Sequence, residues 1–169
     1  MLNEFLKLSP RKDELEKAHE WGFGVLRNFY PVKHTALDVV EQYQYAEKNK
    51  WIAKHDEANY KNRWLQFKGD FVGETKTVVD HVQELYGARM THIYANWISD
   101  GHTYGKHKDT MDVIILQTWG KMGYGCESPY GEKAHGACTL KPGDAIYIRA
   151  GVWHTPFIMS QRMSLSFSW

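Results

Sequence analysis

Cysteine is almost missing from this chain: Cys126 and Cys138 are the only two in 169 residues, too few for the disulfide framework of a small secreted scaffold. A Cys126–His135–Cys138 zinc site fits no common ligand spacing, so two ordinary thiols near a hairpin are expected. Long apolar runs are missing too. The longest aliphatic stretch, Val113 to Leu116, is far too short to span a bilayer, and the charged N-terminus, MLNEFLKLSPRKDELEK, does not read as a targeting segment. Charge of one sign is also lacking: 21 basic and 20 acidic residues leave a net charge of +1. Neither nucleic acid nor a membrane surface is therefore expected as the main partner. No internal repeat, low-complexity tract or linker interrupts the chain, and a soluble, cytoplasmic protein is expected.

What remains is enough for a core. At 169 residues and 43% hydrophobic content, the chain suits one domain spanning 1–169. Its two halves differ in texture, with helix-rich support and the first strands over about 1–88 and a strand-rich core over about 89–169. In the first half, SPRKDELEKAHEWG has a Ser9 cap, Pro10 at the first helical position and a stop at Gly22. FGVLRNFY and RWLQFKGDF read as strands. HTALDVVEQYQYAEKN carries Leu37, Val40 and Tyr43 at helical spacing, and ETKTVVDHVQELYG is a helix closed by Gly87. From Met90 the pattern changes to MTHIYANWI, DVIILQTW, a Gly-rich loop from Gly120 to Gly136, ACTL, DAIYIRA and RMSLSFSW. Short strands between Gly, Pro and Asp turns predict a mainly β jelly roll or barrel with the helices packed outside.

In GHTYGKHKDTMDVIILQTWG, two polar residues separated by one position, His107 and Asp109, open an apolar strand. Alternate residues of a strand face one way, so the pair projects side by side and can share a metal. A third group follows in LKPGDAIYIRAGVWHTPF. If the end of DAIYI lies beside the start of DVIIL, His154 is carried towards His107 and Asp109. Of the other histidines, His19, His34, His55 and His81 are expected at the surface, and His102 is a substitute ligand five residues before His107.

These residues carry a resemblance. Gly101, five residues, His107, one residue, Asp109 resembles the first metal motif of the cupin superfamily, with Asp in place of its second His. Gly143, five residues, Arg149, one residue, Gly151, two residues, His154 resembles the second, with Arg where proline is usual. The usual glutamate ligand is missing, because Val113 and Ile114 stand there. Two histidines and one carboxylate are the facial set of non-haem Fe(II) oxygenases. HKDTMDVIILQTWGK further resembles the cupin-like hydroxylases related to JmjC proteins and ribosomal oxygenases. HTPFIMSQRMSLSFSW is similar to the last strand of 2-oxoglutarate oxygenases, including prolyl-hydroxylase-like enzymes.

The resemblance implies a double-stranded β-helix, Fe(II) on His107, Asp109 and His154, and 2-oxoglutarate and O2 as cosubstrates, with oxidative decarboxylation coupled to hydroxylation of a protein side chain or a small metabolite. The distal carboxylate of 2-oxoglutarate then needs a cation. Arg162, with Ser164 beside it on the alternating strand RMSLSFSW, is favoured over Lys121, which serves only if a bulge at Gly120 shifts the register. Tyr94 and Asn96 are expected to line the same cavity, and Asp112 either orients a ligand or forms a turn. The rival expectation is a metal-binding cupin without oxygenase activity, ligand-binding or isomerase-like. The oligomeric state stays open, a homodimer included.

Overall fold

The helical half follows its caps with one exception. In this computed structural model, which describes residues 2–53, 63–67, 69–127 and 135–169, a short α1 (Glu4–Lys7) precedes α2 (Lys12–Trp21). Gly22 ends α2 in the left-handed conformation, φ 93°, which a residue with a Cβ resists. Helix α2 does not start at Ser9. Arg11 is its cap, while the buried Ser9 donates its hydroxyl to the Leu6 carbonyl at 2.8 Å and closes α1 instead.

Thr35 and Asp38 form the capping box of α3 (Ala36–Lys48). Its buried stripe is Val39, Gln42 and Ala46, not the predicted Leu37 and Val40; Leu37 is 79% exposed. The stripe turns on a polar residue. Gln42 donates to Gln66 Oε1 at 2.8 Å and accepts from the Val72 amide at 2.9 Å, so its burial leaves no amide group unmatched. Helix α4 (Gly73–Tyr86) stops at Gly87, φ 65°, as predicted.

Among the described residues, seven strands form one antiparallel sheet: β1 (Phe23–Leu26), β2 (Arg63–Gln66), β3 (Met90–Asn96), β4 (Val113–Glu127), β5 (His135–Leu140), β6 (Ala145–Ile148) and β7 (His154–Ser168). Their order is β1-β6-β4-β7-β3-β2, with β5 added on β4. The end of β6 lies beside the start of β4, Ile148 opposite Val113, as the motif spacing required. Strand β4 is buried on both faces. Ile114 and Leu116 pack with α1–α4 residues such as Leu6, Leu15, Val39 and Val78, while Val113 and Ile115 join Met122, Tyr124, Ile146 and Ile148 in a second cluster. That is why the run Val113–Leu116 is continuously apolar rather than alternating. No helix among the described residues is long and apolar enough to cross a membrane.

The stretch read as a Gly-rich loop is strand as far as Glu127, and β7 likewise begins at His154 rather than near Arg162. Residues 128–134 lie outside the described residues. Two glycines show why glycine misleads here. A Cβ at Gly123 would enter the ring of Phe157 on the paired strand, so the strand needs an empty position there. At Gly120, φ is 71° and a Cβ would be driven into the Gln161 carbonyl. The register with β7 shifts on both sides of this point, at Thr118 and at Lys121, so Gly120 joins two bulges. Gly120→Ala is therefore expected to destabilise the fold by about 2–4 kcal/mol, strain and steric overlap adding, read as a lower denaturant midpoint.

Candidate metal centre

His107 and His154 face each other across a single antiparallel bridge. The His107 amide donates to the His154 carbonyl at 2.9 Å, and the His154 amide returns a bond of 2.8 Å to the His107 carbonyl. The two rings lie 4.2 Å apart between centroids. Each ring is oriented by its own chain: His107 Nδ1 is 2.9 Å from the Gly105 carbonyl and His154 Nδ1 is 3.1 Å from the Val152 carbonyl. A carbonyl only accepts, so Nδ1 carries a proton in both rings, and the neutral form of each has its lone pair on Nε2.

Both lone pairs point towards Asp109. His154 Nε2 is 3.7 Å from Asp109 Oδ2, and His107 Nε2 is 4.0 Å from Asp109 Oδ1. One donor atom from each of the three residues lies within 4.8 Å of the others. Metal bonds to such donors are about 2.0–2.2 Å long, so a small inward swing of Asp109, which is 37% exposed, lets all three share one ion. Burial pushes the His154 imidazole below its ordinary pKa, with the His107 ring acting in the same sense. The neutral, metal-ready form is thereby favoured. His102 is exposed and stands outside the cluster.

Asp109 and the turn before His154 are fastened together. The Gly151 amide donates to the Asp109 carbonyl at 2.8 Å, and Asp112 accepts from the Ala150 amide at 2.9 Å and from the Tyr147 hydroxyl at 2.7 Å. Asp112 thus ties the turn at residue 150 to the start of β4 and touches no donor atom of the cluster. The Tyr147 hydroxyl also meets His19 Nδ1 at 2.7 Å. His19 and His34 are only half exposed, His34 reaching Thr75 at 3.0 Å, while His81 is at the surface as expected; His55 lies outside the described residues.

A cavity opens from this cluster, and Arg162 lines it together with Tyr94, Tyr104, Tyr124 and Ser166. Arg162 is 3% exposed. Its Nε donates to Asn96 Oδ1 at 2.7 Å, and one Nη donates to the Tyr94 carbonyl and to Ser164 Oγ, each at 3.1 Å. The Ser164 hydroxyl in turn donates to Gln117 Oε1 at 2.7 Å. Every partner of the guanidinium is neutral, and no carboxylate pairs with it among the described residues. Desolvation pulls its pKa down to about 10. Tyr94 lines the cavity, whereas Asn96 and Ser164 hold the guanidinium from behind.

Lys121 is placed elsewhere. The expected bulge exists, but it turns Lys121 outward: the residue is exposed, its amide donates to Ser160 Oγ at 2.7 Å, and Met122 fills the interior. Lys121→Ala is expected to leave stability unchanged within about 0.5 kcal/mol, as for surface substitutions generally, by chemical denaturation. The thiols are also apart from the cluster. Cys126 and Cys138 are free, and burial pushes the Cys126 thiol up to about 12. The side chain of His135 lies outside the described residues.

Six cavity residues escaped the sequence reading: Arg63, Thr103, Tyr104, Ile115, Tyr124 and Pro156. Thr103 and Tyr104 share the loop of His107, so proximity was a usable signal. Tyr124 was hidden in the presumed loop, and Arg63 depends on strand order alone.

No protein-family model matches the sequence, and no curated protein matches it either. Solved structures do. The ribosomal oxygenase YcfD of Escherichia coli, in complex with cobalt and 2-oxoglutarate, superposes with a TM-score of 0.70 at 18% identity over 94% of this chain and 51% of that one. Another YcfD crystal structure gives 0.70 at 19% over 99% and 51%. A Pseudomonas putida prolyl-4-hydroxylase gives 0.63 at 10% over 93% and 97%. The chain spans about half the length of YcfD and nearly all of the prolyl hydroxylase. By its antiparallel sheet, its outer helices and these superpositions, the chain has the double-stranded β-helix fold of the cupin-like 2-oxoglutarate oxygenases.

Proposed function

We propose that the protein is a non-haem Fe(II)- and 2-oxoglutarate-dependent oxygenase that hydroxylates a protein side chain or a small metabolite. One observation carries this reading: the His107–Asp109–His154 donors and a buried guanidinium without a carboxylate partner face the same cavity. The donor set suits the metal. Two neutral imidazoles and one carboxylate fit Fe(II), and three protein ligands leave positions open, whereas a structural zinc site takes four. Bound iron would supply the oxidising chemistry with O2 and 2-oxoglutarate.

The chain's own residues supply placement. His107 and His154 present rings oriented by their own chain, Arg162 offers charge-assisted hydrogen bonds to the distal carboxylate, and Tyr94, Tyr104 and Tyr124 wall the space between. YcfD, crystallised with cobalt and with 2-oxoglutarate or succinic acid, supports the same pair of ligands here. The test is anaerobic. Fe(II) and 2-oxoglutarate mixed with the protein should give the weak visible charge-transfer band of the chelate, and His107→Ala should abolish it. A wild type without the band, or a variant that keeps it, would leave the rival reading of a metal-binding cupin without oxygenase activity.

A further inference from the structure

Asn96 is fully buried, and both ends of its amide are in use. Its Oδ1 accepts from Arg162 Nε at 2.7 Å, and its Nδ2 donates to the His102 carbonyl at 3.0 Å. The orientation is forced, because a guanidinium only donates and a carbonyl only accepts. One planar group therefore joins the buried cation of the cavity to the loop that ends at a metal donor, His107.

That loop is braced along its length. The Thr103 hydroxyl donates to the carbonyl of Pro156, on the strand that His154 opens, at 2.9 Å, and it accepts from the Gly105 amide at 3.1 Å. The Gly105 carbonyl then accepts from His107 Nδ1. The loop also lies flush on Asn96: a Cβ at Gly101 would stand 2.9 Å from Asn96 Nδ2, so neither can shift towards the other. The guanidinium is held less evenly. Tyr94 and Ser164 both meet a single Nη, so without Asn96 the cation can pivot about that one nitrogen. Asn96 fixes its plane, and with it the distance to the loop of His107.

Resting on the oxygenase reading above, we infer that Asn96 is a positioning residue that sets the span between the metal donors and Arg162, and thereby selects the chain length of the 2-oxo diacid. A diacid chelated at one end meets Arg162 at the other only if its length matches that span. Fixed anchors discriminate between lengths; anchors free to move accept either.

The test uses the full chain with Fe(II) under argon, titrated with 2-oxoglutarate and with 2-oxoadipate, which is one methylene longer, and reads the charge-transfer band of each chelate. The unaltered protein should prefer 2-oxoglutarate by about 10- to 200-fold, the range that one methylene commands in a shaped pocket. Asn96→Ala should cut the preference to about threefold or less, below that range. Gly101→Ala reaches the same tie from the loop side with the Asn96 side chain still present, and it should relax the preference too. Ser164→Ala is the contrast. It removes a contact of Arg162 but no tie to the loop, so both affinities should fall together and the preference should stay. A preference kept by folded Asn96→Ala, or by Gly101→Ala where alanine at 96 does not fold, overturns the inference. Equal binding of the two acids by the unaltered protein overturns it as well, and so does a preference that relaxes as much in Ser164→Ala, since Asn96 would then be one general support among several. No band with either acid on the unaltered protein would instead end the oxygenase reading itself.

Discussion

His154→Ala is expected to weaken divalent metal binding by about 100-fold or more, beyond the 10–100-fold typical of losing a mere supporting contact, and to abolish 2-oxoglutarate turnover. The metal measurement is a competition titration against a chromophoric chelator. The fold should survive, because His154 is tied to His107 through main-chain bonds of 2.9 and 2.8 Å that alanine retains. Its side chain is 2% exposed, so the truncation leaves a small cavity beside the bridge. Metal therefore gives a second readout. A ligand that binds only the folded state raises the melting temperature, and saturating metal should do so for the wild type and not for His154→Ala. A variant that still binds within about threefold of wild type, less than the loss of even a supporting contact costs, would remove the imidazole from the ligand set.

The convergence of His107, Asp109 and His154 was legible because its signal is local. His107 and Asp109 declare a shared face through a spacing of two, and His154 follows a strand and a turn whose lengths fix its position. The alternation of β7 was legible for the same reason and put Arg162 and Ser164 on one face. What failed was non-local. Gly120 and Gly123 look like loop residues until Gln161 and Phe157 of β7 are set against them. Leu37 and Val40 look like a core stripe until Gln42 finds Gln66 and Val72.

Bulge direction shows the same limit. A bulge at Gly120 was foreseeable as a condition for Lys121, yet nothing in the local pattern tells which way the extra residue turns; pairing with Ser160 decides it. Arg63 is the extreme case. Its place beside Arg162 depends on β2 and β7 both pairing with β3, and the three strands are far apart in the chain.

Arg162→Met should separate binding from stability in opposite directions. A guanidinium desolvated to 3% exposure, with only neutral partners, is costly to bury. Removing it leaves Asn96 Oδ1 and the Tyr94 carbonyl without their donor, at about 1–3 kcal/mol for each buried group, but it also removes the isolated charge. The two terms oppose, so the metal-loaded protein without 2-oxoglutarate should lose little stability and can gain some. Binding has no such offset. Truncating one side of a buried charge pair costs about 2–5 kcal/mol, so 2-oxoglutarate affinity should fall by about 30-fold to more than 1,000-fold, while metal affinity stays within a few-fold. Titrating 2-oxoglutarate into the metal-loaded protein measures the first, and chemical denaturation of the same sample measures the second. Arg162→Lys should recover only part of the binding, since an ammonium cannot reach Asn96, Ser164 and a carboxylate in one plane. If Arg162→Met binds 2-oxoglutarate as the wild type does, the distal carboxylate lies on some other group, and the cavity's deep cation is a structural charge held by Asn96, Ser164 and the Tyr94 carbonyl.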